Sequence, residues 1–333
     1  MATQRLRLEI DASPAYEFVL SLAAATAGGD GRMDLVAEVR AFAGGCDMVW
    51  AHLLTVAYET APPRDPAALI EAVRAMHPRE LRLRLFGYYV RYFRRATRPE
   101  VIAAAAAGDQ PAAEQFQASS YPEDALWQAA LAALLPLNGW ETRRRLLRLL
   151  GAWRDHFAST YQPSPLLEEA ALRRGQARST RTEQMVAAVM DGWEYIAEPG
   201  INAVLLVPSR VIWPAAHVFD HNSTKIVCYP VGPAASEAAD EPPHKLLRAG
   251  QAVGDERRLR ILRLLAREEL RASEISARLG VGLTTLLHHL TVLREAGLIS
   301  VGAGGRGKIY RLRREGLGEL ERGLDRFLLG RRR

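Results

Sequence analysis

The turn Gly280-Val281-Gly282 constrains this 333-residue chain more than any other feature, because three residues can only fold one helix back across the next. Before it, Ser273–Leu279 reads as a short helix capped by Ser273 and ended by Gly280. After it, Leu283–Ala296 runs to Gly297, with Leu286, Leu290 and Leu293 facing inward and Thr284, Thr285, Leu287, His288 and Thr291 facing outward. Upstream, His244–Val253 is a helix stopped near Gly254, and Asp255 caps another whose stripe is Leu259, Ile261, Leu262, Leu264 and Leu265. Downstream, Leu298–Val301 and Lys308–Leu312 read as strands around the tip Gly302–Gly307. A last amphipathic helix, Gly316–Leu329, carries Leu317, Leu320, Leu324, Phe327 and Leu328 on one face.

Helix, helix, turn, helix, hairpin is the order of a winged helix-turn-helix, an α+β module expected over residues 244–333. Its charge agrees. This segment holds 20 Lys and Arg against 10 Asp and Glu, leaving 24 against 28 of the whole-chain 44 and 38. Basic charge concentrated in one quarter of a chain is the footprint of a surface that meets phosphates. The expected partner is double-stranded DNA. Thr284, Thr285, His288 and Thr291 are candidates for the major groove, and Arg306 and Lys308 for the wing. Arg294, with Arg311 and Arg313, adds candidate phosphate contacts.

Three stretches carry a more specific likeness: Asp255-Glu256-Arg257-Arg258-Leu259-Arg260-Ile261-Leu262, Ser273-Glu274-Ile275-Ser276-Ala277-Arg278-Leu279-Gly280, and the run from His288-His289-Leu290-Thr291 to Gly297-Leu298-Ile299. Together they resemble the ArsR/SmtB regulators, over about residues 245–329. The resemblance implies a homodimer built on His244–Val253 and Gly316–Leu329, with Leu283–Ala296 as recognition helix, and repression by steric block. Two departures stand out. Where metal-sensing members carry cysteines, this chain reads Glu269-Leu270-Arg271-Ala272-Ser273-Glu274, and its last helix lacks the Asp/His ligands of zinc sensors. No metal and no cofactor is therefore expected. Leu283 and Leu287 also stand at positions that are usually polar.

The rest of the chain is mainly α. Residues 1–190 read as a helical effector or dimerisation domain. The helices expected include Pro14–Ala27, capped by Asp11 or Ser13, one opened by Asp65-Pro66, Val101–Ala107 behind a Thr97/Glu100 capping box, Gly139–Thr160 and Pro165–Met190. Residues 191–231 change texture, with strand-like runs at Trp193–Ala197, Ile201–Val207, Val211–Trp213 and Lys225–Tyr229, so a small β element packed on the helices is expected. Leu205-Leu206-Val207-Pro208-Ser209, followed by a strand ending Tyr229-Pro230, resembles the sensor regions of long ArsR-like regulators. Residues 232–243, GPAASEAADEPP, read as the linker.

Trp50, Tyr88, Tyr92 and Trp127 are candidates for an effector pocket, against the plainer reading that such aromatics form a core. His217, Asp220 and His221 are close enough in sequence to suggest metal ligands, although a polar loop between strands is the simpler reading. The motifs GxSxG, a phosphate-cradling glycine loop and a zinc-protease helix are all missing, and Glu168-Glu169 diverge on a helix, so an enzyme is not expected. Two alternatives to a DNA-binding regulator stay open: a winged helix that binds protein, and an enzyme domain at residues 1–240 fused to the module. No apolar run approaches the roughly eighteen residues of a membrane span. Two distant cysteines, Cys46 and Cys228, suit a reducing cytoplasm.

Overall fold

The computed structural model describes residues 6–28, 34–90, 94, 96–122, 124–190, 200–212, 216–232, 244–304 and 307–329, with backbone alone at 28, 244–245, 283–284, 288, 295, 303–304 and 307–308. It divides into two units, residues 1–175 with 200–231 and residues 176–199 with 232–333.

The first unit is built around α1 (Pro14–Gly28), whose Tyr16, Phe18, Val19, Leu20 and Leu22 are all at most 1% exposed. A helix apolar on every side belongs in the middle of a core, and α1 touches α2 (Asp34–Phe42), α3 (Met48–Ala51), α4 (Leu54–Glu59), α5 (Pro66–Ala75) and α10 (Gly139–Thr160). Asp65 accepts the Ala68 N–H and Pro66 opens α5, as the sequence predicts. Asn138 caps α10 through the Glu141 N–H, and Leu146, Leu149, Leu150, Trp153 and Phe157 form its buried stripe. The remaining helices are α6 (Pro78–Leu85), α7 (Pro99–Ala107), α8 (Gln110–Ser119), α9 (Ala125–Leu134) and α11 (Pro163–Gln176). The cap of α7 differs from expectation. Arg98, not Thr97, is its N-cap, and Thr97 instead shares a hydrogen bond with Ser119.

A four-stranded sheet completes the unit in the order β1 (Arg7–Ile10), β2 (Ala203–Ser209), β4 (Thr224–Pro230), β3 (His217–His221). β1 and β4 lie parallel to β2, and β3 runs antiparallel to β4 through a turn at Asn222, φ +52°. Every residue of β2 is buried, which explains its unbroken apolar run. The sequence placed residues 7–10 in the helical region. They are a strand because their pairing partner lies almost two hundred positions away, beyond any local pattern. His217–His221 is an edge strand and not a loop, whereas Val211 and Ile212 form a turn and not a strand. The expected strand Trp193–Ala197 lies outside the described residues.

In the second unit, the single helix expected over Pro165–Met190 is interrupted: α11 ends at Gln176, and α12 (Thr182–Val189) groups with the C-terminal module. Then come α13 (His244–Val253), α14 (Glu256–Leu265), β5 (Leu270–Arg271), α15 (Ala272–Leu279), α16 (Leu283–Glu295), β6 (Ile299–Gly304), β7 (Gly307–Leu312) and α17 (Arg314–Leu329). The hairpin β6–β7 takes β5 on its other side, Leu270 opposite Tyr310. Ile261, Leu265, Ile275, Leu286, Leu290, Leu293, Leu298 and Ile299 form its core. The protein is thus mainly α, with a small sheet in its first unit and an α+β winged helix-turn-helix at its end.

Candidate DNA-recognition surface

The turn between α15 and α16 is held from both sides. Gly280 adopts φ +64°, a left-handed conformation that favours glycine, and Ser276 Oγ donates to the Val281 carbonyl at 2.6 Å. The Val281 N–H returns to Ser276 O at 3.3 Å, and Gly282 starts α16 by accepting from the Leu286 N–H. Leu286 (0% exposed), Leu290 (1%) and Leu293 (0%) anchor α16 to the core. The opposite face is left clear. Thr285 and Thr291 are exposed, with the Thr291 hydroxyl donating to Leu287 O, and Leu287 stands 43% exposed between them. Thr284 and His288 occupy backbone positions i and i+4, with Thr291 at i+7, but their side chains lie outside the description. His289 is 8% exposed and belongs to the inner face.

The wing follows the same logic. β6 and β7 pair from Ile299↔Leu312 to Gly304↔Gly307, with Lys308 opposite Ala303, and Arg306 lies outside the described residues. Arg294, half-buried in the last turn of α16, acts by its charge on buried Tyr310, whose hydroxyl burial pushes above its usual pKa.

Several arginines of the module serve the fold. Arg258 donates to the Ala252 and Gln251 carbonyls, closing the end of α13, while its own N–H is capped by Asp255 at 2.9 Å. Arg311 pairs with Glu269 at 2.7 Å, and Arg313 donates to Gly297 O at 3.0 Å. Arg311 and Arg313, candidates for phosphate contacts, thus each have a partner inside the module. Sequence spacing cannot separate an arginine that caps a carbonyl from one that faces solvent.

The two helices expected to dimerise pack together. A Cβ on Gly323 of α17 would lie 3.2 Å from Leu246 of α13, so that glycine keeps the pair close. Beyond the contact, Leu247, Leu317, Leu324 and Leu328 are 44%, 38%, 42% and 67% exposed.

The aromatic residues proposed for an effector pocket are placed otherwise. Trp50 (0% exposed) donates its indole N–H to Thr26 Oγ1 and tilts onto Phe42, and Trp127 (2%) donates to Ser120 Oγ. Both are core residues with satisfied N–H groups, which corrects the pocket reading. Tyr88 packs half-buried, edge-on to Tyr89, and Tyr92 lies outside the described residues. The three metal candidates also part company. His221 meets Glu59 at 2.8 Å, Asp220 takes the Lys225 ammonium at 2.8 Å, and His217 stacks on Phe219. Among the described residues no group of three or more His, Cys, Asp or Glu is arranged to hold a metal. No described helix is long and apolar enough to cross a membrane.

Residues 255–301 match the family model for bacterial regulatory proteins of the arsR family. HlyU from Vibrio cholerae is 32% identical over 26% of this chain and 92% of its own, at a TM-score of 0.21, so that the likeness is one of sequence over this segment. The curated proteins contain no match. The family model covers α14, α15, α16 and the start of β6, the elements that position Thr285 and Thr291. The chain carries, at its C-terminal end, a DNA-binding helix-turn-helix module of the ArsR family of bacterial regulatory proteins.

Proposed function

We propose that this protein is a homodimeric transcriptional repressor, acting in the cytoplasm, whose N-terminal unit senses a small effector. The observation that carries the reading is the seating of α16, with three leucines in the core and a clear threonine face, inside the basic quarter of the chain. Thr284, Thr285, His288 and Thr291 meet base edges, and Arg294, Arg306 and Lys308 meet phosphates. The exposed leucines of α13 and α17 join two copies, placing the recognition helices in successive major grooves about 34 Å apart on a pseudo-palindrome. An effector changes operator affinity by binding one spacing of the two helices better than the other.

The test is a mobility-shift titration on the DNA upstream of the protein's own gene, repeated across salt. Binding through several phosphates must weaken steeply, with a log–log slope of about −0.9 per phosphate neutralised. Tight binding that ignores salt favours the protein-interaction reading, and absence of binding at low salt overturns the regulator reading.

A further inference from the structure

Leu287 breaks the division of labour on α16. The helix buries Leu286, Leu290 and Leu293 at no more than 1% exposure, and among its described side chains the other exposed ones are Thr285 and Thr291. Leu287 stands with these threonines, 43% exposed and outside the core of the module. The module's other exposed leucines lie elsewhere, on α13, α14 and α17. Thr291 follows Leu287 one turn later on the same side of the helix, and its hydroxyl donates to the Leu287 carbonyl at 2.9 Å. The proton of that hydroxyl is thereby spent inside the helix. Arg294, half-buried, continues the row at i+7 from Leu287. The row therefore begins with an alkyl side chain and ends with a cation.

A lone exposed leucine on a general surface calls for no explanation. On a helix that enters the major groove it must be matched. Nearly every group that base pairs present there is a hydrogen-bond donor or acceptor. An alkyl chain laid on such a group strips its water and returns no hydrogen bond, which is unfavourable. The one apolar group in the groove is the C5-methyl of thymine.

We infer that Leu287 determines sequence preference by packing its side chain on the C5-methyl of a thymine in each half-site. The inference rests on the DNA-binding reading above and names the base that one position of α16 selects. A G·C pair at that position is disfavoured twice, by loss of the methyl contact and by desolvation of its edge. In a twofold complex the contact occurs once in each half-site.

The experiment selects bound duplexes from a random library with the full chain. The selected sequence is then rebuilt with deoxyuridine in place of thymidine, one position at a time and in symmetric pairs. Deoxyuridine pairs with adenine as thymidine does and lacks only the methyl. At one position of each half-site the exchange should weaken binding about fourfold, the worth of one buried methyl, and about fifteenfold when both half-sites are exchanged. Leu287→Ala should keep the circular dichroism of the parent, bind the thymidine duplex more weakly, and separate the two duplexes by less than about twofold. If no position responds to the exchange, or if the exchange weakens Leu287→Ala as much as the parent, the inference is overturned while binding to the thymidine duplex stands. If the library yields no bound duplex, the DNA-binding reading itself fails and this inference falls with it.

Discussion

Gly316 at the start of α17 sits so close to Gly297 that a Cβ at 316 would fall on the Gly297 carbonyl oxygen. The same carbonyl accepts from Arg313, and Gly297 itself adopts φ +69° at the end of α16. The exit of the recognition helix and the root of the last helix are therefore one joint. Gly316→Ala should destabilise the module by about 1–3 kcal/mol, the usual cost of overpacking. Gly318→Ala, which meets only the flexible end of Arg322, should be neutral or stabilising. Urea unfolding followed by circular dichroism separates the two, and equal effects would refute the joint.

Arg82 on α6 is 2% exposed and donates to the carbonyls of Ala105, Ala106, Leu134 and Leu137, holding the ends of α7 and α9. Burial without a carboxylate lowers its pKa to about 10, leaving it charged at neutral pH. Arg82→Met should cost several kcal/mol, because about 1–3 kcal/mol attaches to each carbonyl left buried and unpaired. Arg82→Lys should rescue little, since one ammonium cannot span what a guanidinium fork reaches. A melting temperature of either variant near that of the parent would sink this account.

Arg82 also shows where the sequence was legible and where it was not. The C-terminal module could be read because each of its signals is local: Asp255 caps within three residues, Gly280 and Gly297 end their helices in left-handed turns, and leucines four and three apart mark the core of α16. The first unit is held by distant pairings. Arg82 and Arg84 alternate with Leu81, Leu83 and Leu85, and both arginines are buried. Arg84 is buried because Glu59 and Glu80 take its charge, and Arg82 because helix ends fifty positions away need donors. Glu17 on α1 is 4% exposed because α1 is surrounded by other helices. The aromatic stripe misled in the opposite direction, since Trp50 and Trp127 are large enough to dominate a core and find their N–H partners there.

His52 gives the fold a pH dependence of known sign. It is 1% exposed, with Nδ1 against Leu85 O at 2.9 Å, so Nδ1 carries the proton of the neutral ring. Burial lowers its pKa from the usual 6.5 to about 4. Burial also lowers His217 and His221, against the opposing charges of Asp47 and Glu59. At His52 the unfolded chain then binds more protons than the folded one between pH 6.5 and about 4. The His52 contribution, on the order of 3 kcal/mol, is full above that window and is lost as the pH drops through it. Unfolding free energies measured from pH 7 to 4 should show this slope, and His52→Gln should flatten it. A slope unchanged in the variant would assign the effect elsewhere.

The two halves of the DNA surface should fail differently. On the proposed reading Arg306 neutralises a phosphate, so Arg306→Ala should weaken every sequence alike and make the salt slope shallower by about 0.9. His288 shares the helical face of exposed Thr291, so His288→Ala should change sequence preference and leave the salt slope largely intact. Titrations of both variants against an operator and a scrambled duplex make the comparison. Identical behaviour of the two would remove the division between base reading and phosphate anchoring.

The exposed leucines of α13 and α17 make the dimer testable apart from DNA chemistry. Leu324 and Leu328 lie one helical turn apart, 42% and 67% exposed, and Leu317 continues their line seven residues before Leu324. Burying such side chains against a second copy is worth about 1.5–3 kcal/mol each, while a carboxylate there must be desolvated at large cost. None of them belongs to the buried core of the module, which is formed by α14, α15 and α16 with Ala252 of α13, Leu298 and residues of β5, β6 and β7. Leu324→Glu with Leu328→Glu should therefore leave the circular dichroism spectrum unchanged and halve the mass seen by sedimentation. Because each recognition helix then binds its half-site alone, operator affinity should drop by at least a hundredfold, the scale on which linked sites reinforce each other. A double variant that sediments as the parent does would move the dimer interface off these helices, and a monomer that keeps full operator affinity would remove the need for two recognition helices.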